Sequence, residues 1–180
     1  MALFGFFGRK NRNKALIEGI YAVIVARSRL EVFYRDLGVP DSLDGRFELL
    51  TLYMTLVTRH LRAMPSPGPD IAQDLVDLTF AQFDAALREM GVGDVSIPKR
   101  MKAMAGAFLG RASAYDEALR GHDHGALLAA LKRNLYGLTP IPDGAAEKIA
   151  QDVINSVTAL EKTSIAEYSA AQLPFPTFSV

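Results

Sequence analysis

Helical spacing, cut at intervals by proline and glycine, is the feature of this chain that most restricts its fold. No four-residue stretch alternates cleanly between apolar and polar residues while also being rich in Val, Ile and Thr, so strand signals are nearly missing. Apolar residues recur instead at three and four. Residues 13–37 carry Ile17, Ile20, Tyr21, Ile24 and Val25 on one stripe, and Gly38-Val39-Pro40 stops the pattern. Residues 46–63 repeat Phe47, Leu50, Met54, Val57 and Leu61, while Leu49, Leu52, Tyr53 and Leu56 fill much of the remaining circumference. A helix apolar most of the way round is covered on several sides, so this one is expected at the centre. The run Met64-Pro65-Ser66-Pro67-Gly68-Pro69 is a firm break.

The same reading continues to the end. Asp70 is the expected N-cap of a third helix to Met90, with Val76, Phe80, Phe83 and Leu87 on its seam. Gly91-Val92-Gly93 reads as a helix end and turn. Ser96 and Pro98 open a fourth helix that runs to Arg120, and Asp123 caps a short fifth over 125–135. A last helix is expected over 143–171. The tail Leu173-Pro174-Phe175-Pro176-Thr177-Phe178 cannot be regular helix and suits an extended segment in a groove. The expected fold is all-α: a single-domain bundle of about six helices over 15–172, an N-terminal arm over 1–14 and an extended tail over 173–180. No repeat of 20–50 residues is present.

Composition narrows the function. Twenty basic residues balance twenty acidic ones, so there is no general excess to hold a phosphate backbone, and no DNA partner is expected. There is no Cys, which removes disulfides, thiolate metal sites and a Cys nucleophile together. The most apolar windows, 19–26 and 49–58, fall far short of a span of roughly 20 residues. The first residues place Leu3, Phe4, Phe6 and Phe7 before Arg9, Lys10, Arg12 and Lys14, the reverse order of a secretory signal. The chain is therefore expected in the cytoplasm. Phe4, Phe6, Phe7, Arg9, Lys10, Arg12 and Lys14 are a candidate membrane contact, which would place it peripherally on the inner face of the cytoplasmic membrane.

Catalytic signatures are missing. The sequence lacks a P-loop, G-x-G-x-x-G after a strand, H-E-x-x-H and G-x-S-x-G. His122-Asp123-His124 offers two imidazoles and a carboxylate, but Asp123 sits where a helix start needs a cap. His60 is expected to be buried or half-buried within its helix. Neither a metal nor a cofactor is expected, and the chain is not expected to be an enzyme. A helical enzyme with an unrecognised site, built on His60 or on His122 and His124, is the least favoured reading.

Three blocks carry a family resemblance. The first contains Ala26-Arg27-Ser28-Arg29, Phe33-Tyr34, Gly38-Val39-Pro40-Asp41 and Asp44-Gly45-Arg46-Phe47-Glu48. The second runs from Phe83-Asp84 through Leu87-Arg88-Glu89-Met90-Gly91-Val92-Gly93-Asp94 to Lys99 and Lys102. The third is Phe108-Leu109-Gly110-Arg111 with Ala114-Tyr115. Together they resemble the ubiquinol–cytochrome c chaperone family across about residues 16–119, more weakly to 135, and the short N-terminus looks like a bacterial member. The resemblance implies a non-enzymatic assembly factor for the cytochrome bc complex. It would bind newly made cytochrome b near the membrane and the ribosome exit, with a small partner protein. Arg27, Tyr34, Asp41, Arg46, Arg88, Asp94, Lys99, Arg111 and Tyr115 fall in or beside these blocks and are the candidate partner-binding residues. The competing reading is a membrane-surface protein that holds lipid or quinone in an apolar cavity.

Overall fold

A computed structural model describes the backbone of residues 4–178 and the side chains of residues 14–178. Among these residues every regular element is helical, and six helices have eight or more residues. The first, α1 (Phe4–Ser28), passes without interruption through residue 14, so the expected arm and the body share one helix. The side chains of Phe4, Phe6, Phe7, Arg9, Lys10 and Arg12 lie outside the described ones. Lys14 is exposed and faces Glu18 at 3.7 Å, one turn on.

α1 stops nine residues before the expected Leu37. The cause is a local capture of its last carbonyls. The Tyr34 hydroxyl donates to the Ser28 carbonyl at 2.9 Å, and the Ser28 hydroxyl donates to the Val25 carbonyl at 2.9 Å. A short helix, α2 (Glu31–Arg35), follows the turn. Gly38 then adopts φ +69°, and a Cβ there would lie 2.7 Å from the Pro142 ring, so both conformation and space require glycine.

α3 (Leu43–Ala63) starts three residues earlier than expected because Ser42 accepts a cap bond from the Gly45 N–H at 3.1 Å. It is the central helix, as its all-round apolar pattern predicts. Leu49, Leu52, Tyr53, Met54, Leu56, Val57 and Leu61 are all shielded from solvent, and α1, α4, α5 and α7 pack around it. Two of its buried threonines satisfy their hydroxyls internally: Thr55 donates to Thr51 O and Thr58 to Met54 O, each one turn back.

α4 (Gly68–Glu89) begins two residues before Asp70, with Pro67 at the cap and Pro69 in the first turn. Asp70 is thus inside the helix, where its charge meets the positive end of the dipole. Gly68 permits the tight α3–α4 corner, since a Cβ there would sit 2.4 Å from the Leu61 carbonyl. The end of α4 is a Schellman motif: Val92 N donates to Leu87 O at 3.0 Å and Gly91 N to Arg88 O at 2.9 Å, with Gly91 at φ +77°. That is the structural task expected of Gly91-Val92-Gly93.

α5 (Ile97–Arg120) has Ser96 at its cap position without a side-chain cap bond, and Pro98 in its first turn. His122 closes this helix in the left-handed region at φ +50°, again with Schellman pairing through Asp123 N to Ala118 O. Asp123 caps α6 (His124–Leu131) by accepting from Ala126 N at 2.9 Å. A π-helical turn over Lys132–Tyr136 completes the expected fifth helix. The expected last helix divides into α7 (Ala145–Leu160) and α8 (Ile165–Ser169). A capping box formed by Ser164 and Glu167 restarts the chain there. Residues 172–178 follow without regular structure.

Candidate functional site

The end of α1, the first turns of α3, the second half of α4 and the first half of α5 leave a groove of about 700 Å³ between them. Its apolar lining includes Val25, Phe47, Leu50, Phe83, Leu87 and Met104, with Leu43 and Met90 more than half exposed along it. The Phe47 and Phe83 rings meet at 5.4 Å between centroids, and Phe83 in turn stands edge-on to Phe80 at 5.8 Å. Four arginines line the same groove: Arg29, Arg46, Arg100 and Arg111. The lining carboxylates are Asp44 and Glu48.

Arg111 is the best-held of these cations. Its Nε donates to Glu48 Oε2 at 2.5 Å and one of its terminal nitrogens to the Ala107 carbonyl at 3.2 Å, and its guanidinium lies 5.6 Å from the Phe47 ring centroid. Burial raises the Glu48 pKa above the usual glutamate value, and the Arg111 contact works against that rise. This half-buried pair fixes one wall by tying α5 to α3. Arg46 pairs with Asp41 at 2.7 Å in the open, where both residues are 55% exposed and the pair is worth little to stability. A shallower depression of about 570 Å³ adjoins the groove, shares Arg29 and Arg46 with it, and adds Tyr34, Arg35, Glu31 and Asp41.

The candidate partner-binding residues therefore divide among several places. Arg46 and Arg111 line the groove, and Tyr34 and Asp41 line the depression beside it. Arg88 and Asp94 form a separate exposed cluster at the α4–α5 turn: Arg88 bonds Asp84 at 2.7 Å and Asp94 at 2.6 Å. Lys99 is exposed in the first turn of α5. Two candidates are not on the surface at all. Tyr115 is fully buried, and Arg27 is only 6% exposed.

Arg27 belongs to an interior cluster. It pairs with Asp152 of α7, which also accepts from the Tyr53 hydroxyl at 2.5 Å, and it donates to the Pro176 carbonyl at 2.7 Å. The rings of Phe33, Tyr53, Phe175 and Phe178 surround its guanidinium at 5.3–6.0 Å. A buried charge needs a partner and hydrogen bonds, and this arrangement supplies both at the two terminal nitrogens. Arg27 thus locks α1, α3, α7 and the C-terminal residues together. Sequence spacing shows a cation in a motif but not which side of α1 it takes.

Histidine chemistry is absent from the groove. His60 is half-buried, with Nε2 3.2 Å from the Thr163 carbonyl and its ring stacked on Tyr168. Among the described residues no group of three His, Asp or Glu side chains converges on a metal position. Sequence reasoning missed Arg29, Met90, Arg100 and Met104 as groove residues. Met90 and Met104 lie on apolar seams, which spacing cannot distinguish from core.

The groove between α1, α3, α4 and α5 thus combines an apolar floor with four arginines along it. Residues 35–178 match the family described as Ubiquinol-cytochrome C chaperone, and the chain belongs to that family. It is also similar to the crystal structure of the Cbp3 homolog from Brucella abortus, with 33% identity over 99% of this chain and 98% of that chain, and a TM-score of 0.87. No curated protein matches the chain significantly. No described helix is long and apolar enough to cross a membrane.

Proposed function

We propose that this chain assists assembly of ubiquinol–cytochrome c reductase by holding a helical segment of newly made cytochrome b in the groove between α1, α3, α4 and α5. The observation that carries the reading is the groove itself, in a chain of the ubiquinol–cytochrome c chaperone family. Helix-in-groove recognition needs an apolar floor that accepts side chains at helical spacing, and Phe47, Leu50, Phe83 and Leu87 provide one. Met90 and Met104 add unbranched, polarisable side chains that can adapt to more than one sequence. Holding of this kind makes and breaks no covalent bond, so it needs neither a cofactor nor a catalytic group.

The working position is the inner face of the cytoplasmic membrane. There Phe4, Phe6 and Phe7 meet the bilayer, and Arg9, Lys10, Arg12 and Lys14 meet anionic headgroups, each cation contributing about 1 kcal/mol. A nascent chain emerging near a ribosome exit would then reach the groove before its apolar segments associate wrongly. A small partner protein would have the exposed Arg88–Asp94 turn and Lys99 available beside it.

A photo-crosslinking amino acid at position 104 tests the reading. Crosslinks in cells should go to cytochrome b and should disappear when exposed Met90 is changed to Glu. Crosslinks only to lipid would replace this reading with lipid binding. An absence of cytochrome b from the products would remove it.

A further inference from the structure

The charge along the groove specifies more than an apolar occupant. Among the described residues Arg29 and Arg100 form no ion pair, although both line the groove. Arg29 stands at the end of α1 and Arg100 in the first turn of α5, and both are exposed. Arg46 adds a third solvent-facing cation, and its partner Asp41 lies in the adjoining depression. Glu48 does not offset them, because it is 6% exposed and occupied by Arg111. With Arg46 already paired to Asp41, the exposed lining charges left are the unpaired Arg29 and Arg100 against Asp44.

We infer that the groove selects an amphipathic helix whose polar edges carry carboxylates, placed to meet Arg29 and Arg100 while its apolar stripe lies on Phe47, Phe83 and Met104. The inference rests on the groove reading above and adds the chemistry of the bound segment. Charges at such an edge act mainly by steering and by rejecting wrong partners, while apolar contacts hold the segment once seated. Arginine suits the role because its planar fork can bind a carboxylate through two parallel bonds. The same edges would repel a helix with lysine at those positions.

Two synthetic helical peptides of about 20 residues provide the test. They share one apolar stripe and carry either Glu or Lys on the flanking positions, and binding to the full chain is followed by fluorescence anisotropy. The Glu peptide should bind about tenfold more tightly than the Lys peptide in ~0.01 M salt. The gap should close in ~1 M salt, as the Debye length falls from about 30 Å to 3 Å. Arg29→Glu with Arg100→Glu should retain the fold, since neither side chain is paired, and should reverse the preference. Equal binding of both peptides, or an unchanged preference in the double variant, overturns the charge inference. The groove reading survives that result if Met104→Glu still abolishes binding. Binding by neither peptide, or binding indifferent to Met104→Glu, overturns both.

Discussion

Asp152 accepts from two directions at once, from the Arg27 guanidinium and from the Tyr53 hydroxyl, with both bonds inside the protein. Deleting the carboxylate leaves a buried arginine with the Pro176 carbonyl and four aromatic rings but no counter-charge. Asp152→Ala should therefore cost about 3–5 kcal/mol of stability, read by urea unfolding. A loss near zero would mean the pair is not buried as described. The tyrosines give a second test at this scale. All six have pKa values raised above the free phenol, chiefly by burial, and Tyr136 is pushed up to about 12. A raised folded pKa means the unfolded state ionises first as pH climbs past 10, so the stabilising contribution is full below 10 and is lost above it. Stability measured against pH should fall beyond 10, and tyrosinate absorbance should rise together with unfolding. Early absorbance from a fully folded chain would contradict this. Burial also explains what the sequence conceals here. Arg27 and Tyr115 stand in family blocks beside Arg46 and Arg111, yet the first two face inward and the last two line the groove.

At the scale of elements, local chemistry was legible and tertiary capture was not. The all-round apolar pattern of α3, the Pro-rich corner before α4, the Schellman glycine at 91 and the Asp123 cap all act within a few residues, so the sequence displays them. The end of α1 depends on a hydroxyl from Tyr34 beyond the turn. Periodicity alone runs through that point to Leu37. The α7–α8 division has a readable signal, Ser164 and Glu167 at capping-box spacing, inside the span 143–171 expected as one helix. Ser164→Ala should cost about 1 kcal/mol and increase amide exchange selectively in residues 164–169. Uniform exchange across α7 and α8 would show that the cap does not govern the break. The groove was only partly legible for a related reason. Its lining comes from four helices, and seam residues such as Phe83 and Met104 look the same whether a neighbour covers them or solvent does.

Across the whole molecule, the Arg27 cluster and the groove meet at one helix end. Val25, Ser28 and Arg29 line the groove, while Arg27 between them holds the opposite side to α7 and the C-terminal residues. Phe175 stands edge-on to Tyr53 at 5.6 Å, and Phe178 edge-on to Phe33 at 5.2 Å. Removing residues 173–180 strips two half-buried phenylalanines and the Pro176 carbonyl from that cluster. The truncated chain should lose about 2–4 kcal/mol, and Glu-peptide affinity should fall as the α1 end loosens. Unchanged stability and affinity would separate the two regions. The account as a whole rests on this chain serving cytochrome b by holding it, and the heme-b spectrum of membranes from cells lacking the gene reads that directly. Cytochrome b should fall sharply, and it should return with the intact chain but not with Met90→Glu combined with Met104→Glu. Normal cytochrome b together with normal ubiquinol oxidation in those membranes would contradict the account.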